Sequence, residues 1–372
     1  MRIALTHAYC WPEVRRGGER LLHELGASLA RLGHDVTILS SARRPGRSRE
    51  QGVRVLRLPQ PPGSGLRQEV RFGWEVAAPL LAGRYDAVHS LGVSDASASV
   101  RAARLHRRRR TVFTNLGNPD REYYSRRPDV GPEFASERTA ARRIWSQHLR
   151  VVDGVDVYGC LSAYAAAKLE SGFGRRPTIT PGGVDLDRFA PARARSSHPT
   201  LLYSGALAEP RKGVDTLLEA LDTLAGKEPA LRLLLSGPGD VAPLLARASP
   251  RARERVDVLP LGPPDMASVY ASAWATVLPS VHEAFGLSLL ESLACGTPVV
   301  GVDHASLPEL VRPGAGALAR PGDAVSLADA CLAALDLARD ADTVDRCRAV
   351  AEPYDWDRSV APALVRLYAS DT

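Results

Sequence analysis

Short apolar segments alternate with amphipathic ones along most of this chain, and that alternation breaks only once. RIALT at residues 2–6 reads as a buried strand. Residues 19–32 place Leu21, Leu22, Leu25, Leu29 and Leu32 on one helical face, and DVTILS at 35–40 is the next strand. A strand–helix–strand opening implies a parallel sheet with helices on both faces. Further strands are expected at 53–58, 86–90, 111–115 and 155–161, with helices near 67–81, 95–108, 133–152 and 163–171. Residues 181–197 are rich in Pro, Gly, Arg and Ser and interrupt the rhythm. It then restarts. Strands are expected at 200–204, 231–236, 256–259, 276–278, 298–302 and 316–319, and helices at 214–225, 241–248, 265–273 and 324–338. The pattern predicts two doubly wound α/β domains.

Charge divides along the same line. Residues 1–197 carry 33 basic and 19 acidic side chains, a surplus of +14, while the remainder carries 15 and 23, a deficit of −8. That asymmetry assigns the halves different partners. Nearly all the cations are arginines, with lysine only at 168, 212 and 227. Five scattered cysteines without C-x-x-C spacing argue against a disulfide framework or a zinc site and fit a reducing compartment. No apolar run has the length of a membrane span, and the start lacks the pattern of a signal peptide. The expected location is cytoplasmic.

Residues 279–301, PSVHEAFGLSLLESLACGTPVVG, pass from a loop into a helix and leave through Gly-Thr-Pro into a strand. Phe285, Gly286 and Leu287 fall at the expected helix N-terminus, where free N–H groups and the helix dipole favour an anion. Glu283 precedes that point and Glu291 follows inside the helix. Carboxylates accept hydrogen bonds from sugar hydroxyls. A diphosphate flanked by a hexose and a ribose, a nucleotide sugar, suits such a site. The whole stretch resembles the signature of family-4 glycosyltransferases, the retaining group with the GT-B fold.

The resemblance implies an architecture of two facing Rossmann-like domains with a cleft between them. The boundaries read as 1–181 plus 356–372 for the acceptor side, 182–198 for the linker and 199–355 for the donor side. The tail 354–368 is similar to the family's last helix, which returns to the first domain. In family terms Lys212 stabilises the leaving diphosphate, and Glu283 orients the sugar. The amides of Phe285, Gly286 and Leu287 hold phosphate, and Glu291 holds ribose. Gly205 opens the loop that carries Arg211 and Lys212. The family usually has Arg after that glycine and this chain has Ala206, so Arg211 or an arginine of the first domain is expected to stand in. Where the family commonly has a histidine near the reacting sugar, this chain has Asn115, which cannot carry a proton.

Position assigns the remaining candidates. Gly17 and Gly18 allow close backbone approach to a phosphate. Gly237 forms the floor of the donor pocket, and the loop at Gly262 meets the base through its backbone. Tyr123, Tyr124 and His89 are acceptor-side candidates. Asp185-Leu-Asp187 has the form of a metal-binding D-x-D but no second acidic cluster, so no metal is expected. The arginine run at 101–110 reads either as a solvated helix end or as a contact for an anionic acceptor or membrane surface.

The leading reading is a retaining, metal-independent hexosyltransferase. It uses a UDP- or GDP-linked sugar and no cofactor, acts on a small-molecule or lipid-headgroup acceptor, and binds no nucleic acid. Two others stay open: a catalytically weak nucleotide-sugar-binding partner protein, and a GT-B sugar-nucleotide epimerase.

Overall fold

The computed structural model describes residues 1–63, 65–106, 109–117, 135–260 and 265–370, without the side chains of 135–141. The chain packs as two units, Met1–Gly182 with Trp356–Thr372, and Gly183–Asp355.

Unit 1 contains β1 (Arg2–Tyr9), α1 (Gly17–Arg31), β2 (Asp35–Ala42), β3 (Gly46–Glu50), β4 (Val53–Pro59), α2 (Gly65–Glu75), α3 (Ala77–Ala82), β5 (Ala87–Ser90), α4 (Val93–Ala103), β6 (Arg110–Asn115), α5 (Ala135–Gly154), β7 (Val157–Cys160), α6 (Ala163–Phe173) and β8 (Thr178–Ile179). Its sheet runs β3-β4-β2-β1-β5-β6-β7-β8. Every pairing is parallel except that of β3 with β4. The central strands are apolar and buried because helices cover them. One core cluster joins Ala4, Leu39 and Val88 to Phe72, Val76 and Leu80. The stretch expected as one helix over 67–81 is two, separated at Val76, which stays buried between them. β3 has no apolar residue and was not expected; it is held as an edge strand through antiparallel pairing with β4.

Unit 2 contains β9 (Thr200–Ser204), α7 (Val214–Lys227), β10 (Arg232–Ser236), α8 (Ala242–Arg247), α9 (Pro250–Arg253), β11 (Val256–Val258), α10 (Met266–Ser272), β12 (Ala275–Leu278), α11 (Leu287–Ala294), β13 (Val299–Val302), α12 (Leu307–Leu310), β14 (Gly316–Ala319), α13 (Ala324–Arg339) and α14 (Thr343–Ala351). Its sheet runs β11-β10-β9-β12-β13-β14, parallel throughout. The chain winds outward from β9, then returns to β12 on its other side. The loops after β9 and β12 therefore flank a crevice at the strands' carboxyl ends, the usual ligand position in such sheets.

After residue 355 the chain forms a π-helical turn over Trp356–Val360 and α15 (Ala361–Ala369), both packed on unit 1. Trp356 Nε1 donates to Glu24 Oε2 at 3.2 Å, and Arg31 Nε donates to Asp357 Oδ2 at 2.7 Å. Among the described residues no helix is long and apolar enough to cross a membrane.

Candidate functional site

The reversal point of the unit 2 sheet brings together the residues that the sequence singled out there. The loop after β9 ends in a short 3-10 turn, Pro210–Lys212, and the loop after β12 runs into α11. Backbone contacts tie the two loops. Val281 N donates to Arg211 O at 3.0 Å, and Arg211 Nη1 donates to His282 O at 3.0 Å. Gly213 has φ +68°, and a Cβ there would lie 2.5 Å from Pro279 O. Lys212 Nζ donates to Glu283 Oε2 at 2.6 Å, and the two side chains are only 12% and 18% exposed. Arg211 pairs with Glu209 at 2.6 Å in a more open setting.

Gly286 caps α11 in a left-handed conformation at φ +102°. Leu289 N and Leu290 N return to Gly286 O. Among the described residues, the N–H groups of Leu287 and Ser288 donate to no carbonyl outside the helix, as expected of a first turn. Glu291, one turn further on, is 4% exposed. Phe285 is buried with its ring edge-on to Tyr354, 5.5 Å between centroids. Ser306 Oγ donates to Glu283 O at 2.9 Å and fixes the loop from the α12 side.

The floor is built by the loops after β9 and β10. Gly205 N donates to Ser236 O at 2.9 Å, and Leu207 N donates to Pro238 O at 2.8 Å. Gly237 has φ +141°, and a Cβ there would stand 1.8 Å from Gly205 O. Tyr203, missed in the sequence reading, is buried beneath this loop and donates from its hydroxyl to Ala206 O at 2.9 Å. Burial, with Glu283 and Glu209 nearby, pushes its phenol well above its ordinary range. Gly262, Tyr123 and Tyr124 lie outside the described residues.

Unit 1 gathers a second cluster where its sheet reverses, between β1 and β5. His7 Nε2 lies 3.3 Å from Glu19 Oε1, and Arg16 Nη2 donates to the same oxygen at 2.6 Å. Burial works against ionising Glu19, yet His7 and Arg16 hold its carboxyl down at about 2. Burial also opposes charge on His7, but Glu19 and Asp95 raise its pKa on balance. Asp95, in the first turn of α4, accepts from Thr6 Oγ1 at 2.5 Å, and burial pushes its carboxyl up to about 6. The sequence reading ended this strand at residue 6 and missed the cluster, which β1 completes by running on through His7 to Tyr9. Gly17 begins α1, and Gly18 packs where a Cβ would lie 2.6 Å from Leu116 Cδ1.

One candidate is corrected. His89 is 2% exposed, with Nδ1 2.7 Å from the Tyr368 hydroxyl and Nε2 2.9 Å from Thr114 Oγ1. Both nitrogens are engaged inside the core and burial drives its pKa down to about 3, so it is a packing residue and not an acceptor contact. Asn115 is 5% exposed. Its Oδ1 accepts from Gly117 N at 2.9 Å and its Nδ2 lies 3.3 Å from His148 Nε2. Both ends of the amide are thus engaged within unit 1, the oxygen with Gly117 N and the nitrogen beside His148.

Residues 15–188 match the family described as Glycosyltransferase Family 4, and residues 198–336 match Glycosyl transferases group 1. A D-inositol 3-phosphate glycosyltransferase of Geodermatophilus obscurus is 36% identical over 218 residues, 53% of this chain and 48% of that protein. A phosphatidyl-myo-inositol mannosyltransferase of Mycobacterium tuberculosis is 34% identical over 200 residues, 50% of this chain and 52% of that protein. These matches thus span about half the length of either curated relative. Among solved structures, a sucrose-phosphate synthase from Thermosynechococcus elongatus superposes with a TM-score of 0.77 at 22% identity, covering 99% of this chain and 98% of that one. At that identity the likeness speaks to fold alone.

Proposed function

Because the chain belongs to glycosyltransferase family 4 and has the GT-B fold, we propose that it is a retaining, metal-independent hexosyltransferase using a UDP- or GDP-linked sugar. The observation that carries this reading is the Lys212–Glu283 pair beside the first turn of α11, with Glu291 buried in the same helix. The amides of Phe285, Gly286 and Leu287 hold the diphosphate. Lys212 opposes the charge that grows on the leaving phosphate as the glycosidic bond breaks. Glu283 takes sugar hydroxyls and Glu291 the ribose. The donor's own phosphate oxygen accepts the acceptor proton on the same face, so the reaction needs no histidine at position 115. Asp185 does not speak for a metal: its Oδ1 accepts from the N–H groups of Asp187 and Arg188 and closes a turn.

The acceptor we propose is a hydroxyl of a phosphorylated polyol or of an anionic lipid headgroup, the chemistry that both relatives' names share. Unit 1 offers a surface for it. Trp74, Leu81 and Leu105 are 60%, 41% and 73% exposed, and Arg67, Arg71, Arg84, Arg101 and Arg104 are exposed on the same three helices and their ends. The Arg143 guanidinium lies 4.9 Å from the Trp74 ring centroid. Apolar anchors among arginines suit the headgroup region of an anionic bilayer. The test is a mass-spectrometric transfer screen of UDP- and GDP-hexoses with inositol phosphate and phosphatidylinositol vesicles, run with and without EDTA. An α-linked product from an α-linked donor, formed equally in EDTA, is expected. An inverted product, or transfer abolished by EDTA, contradicts the proposal.

A further inference from the structure

We infer that the backbone N–H of Ala206 is a fixed hydrogen-bond donor to the diphosphate of the nucleotide sugar, and that the Tyr203 hydroxyl is what positions it. The inference rests on the donor-site reading above. Position 206, directly after Gly205, is alanine and adds no cation, and Arg211 in the same loop is already engaged by Glu209 and by His282 O. Besides Lys212, the loop after β9 therefore has only its own amides to offer an anion. Of three successive amides there, two are taken up. Gly205 N donates to Ser236 O at 2.9 Å and Leu207 N to Pro238 O at 2.8 Å, both at the carboxyl end of β10. Among the described residues, Ala206 N donates to no acceptor.

The peptide plane fixes the direction of that N–H. The Gly205 carbonyl is turned to Gly237, where a Cβ would stand 1.8 Å from its oxygen and 2.7 Å from its carbon. In a trans peptide the next N–H is antiparallel to the carbonyl. Ala206 N–H therefore points away from β10. β9 lies between β10 and β12, so this direction is toward the crevice flanked by the loops after β9 and β12. Tyr203 fixes the following plane. It is fully buried beneath the loop, its hydroxyl donates to Ala206 O at 2.9 Å, and a Cβ on Gly205 would come within 2.9 Å of that hydroxyl. The Ala206 carbonyl is thereby held down toward the core, turned from an anion that it would repel. No other described group donates to that oxygen. A donor set in place beforehand needs no reorganisation as negative charge grows on the leaving diphosphate.

The test is an NMR titration of UDP and GDP into protein whose alanines are labelled at the amide nitrogen, with the cross-peak lost in Ala206→Gly assigning Ala206. Calorimetry of the same nucleotides with the wild type, Tyr203→Phe and Ala206→Pro accompanies it, with thermal melts to establish folding. The Ala206 amide proton should move downfield with the nucleotide that binds, and move less in Tyr203→Phe. A tyrosine that only supports the fold would lower melting and leave that shift alone. Nucleoside diphosphate affinity should fall about tenfold in Ala206→Pro, which lacks the N–H, and by a smaller factor, at least about twofold, in Tyr203→Phe. An unmoved Ala206 amide, or affinity within about twofold of wild type in either folded variant, overturns the inference and leaves the donor-site reading standing. If Ala206→Pro does not fold, the amide shift and Tyr203→Phe decide alone. Absence of binding of both nucleotides to the wild type overturns both.

Discussion

Replacing Gly237 by alanine tests whether the floor of the donor site is built by contact between two loops. At φ +141° a residue with a Cβ occupies a region essentially restricted to glycine, at a cost of about 1–3 kcal/mol. The added Cβ would also stand 1.8 Å from Gly205 O, so one backbone must retreat by more than an ångström. Forced overpacking of this kind costs about 1–3 kcal/mol more. The sum, roughly 2–6 kcal/mol, falls on unit 2, whose size gives about 2–4 °C per kcal/mol, so melting should fall by roughly 4–24 °C. Relief is available by moving the loop after β9, which carries Lys212. Nucleoside diphosphate affinity should therefore drop along with stability. Differential scanning calorimetry and nucleotide titration on one preparation read both. A variant melting within about 1 °C of wild type with unchanged affinity would refute the argument that these loops depend on a side-chain-free contact.

Asp95 gives a pH prediction. Its carboxyl is raised from 3.8 to about 6 by burial, so the folded protein holds that proton more tightly than the unfolded chain. Stability from this group is full below about pH 4, declines as pH rises to about 6, and stays lower by up to about 3 kcal/mol above that. Asp95→Asn should melt higher than wild type at pH 8 and lose that advantage at pH 4; equal melting at both values counts against it. Glu19 behaves oppositely, lowered from 4.5 to about 2, so its contribution is present above about pH 4.5 and is lost as pH falls through about 2. Glu19→Ala should destabilise by about 1–3 kcal/mol, since Arg16 is 56% exposed and His7 can shed its proton, and should lower the His7 pKa followed by NMR. Lys212→Ala should reduce transfer by roughly 10²–10³-fold, measured as kcat.

Much of the fold was legible because its signals are local. Apolar runs such as RIALT and the leucine face of α1 need nothing beyond themselves to declare strand and helix. β3, by contrast, is a strand only because β4 lies beside it, and α14, unanticipated, buries just Thr343, Cys347 and Ala351. The site divides the same way. Lys212, Glu283 and Glu291 stand in recognisable phrases, but the ion pair joins two loops whose approach is decided by where the sheet reverses. His89 looked available because its partner Tyr368 is 279 residues away, on the helix that closes the unit. The His7–Glu19–Asp95 cluster escaped notice because β1, α1 and α4 each contribute one member, none unusual alone.

The first turn of α11 and its buried carboxylate are proposed to hold the nucleotide part of a sugar donor. Titration of UDP- and GDP-hexoses into the wild type and into Glu291→Ala, followed by calorimetry, measures this directly. One nucleotide series should bind the wild type in the micromolar to low-millimolar range and lose at least about tenfold in the variant, the share of a hydrogen bond to a charged group. Binding that is indifferent to Glu291, or absent with every nucleotide, would contradict it.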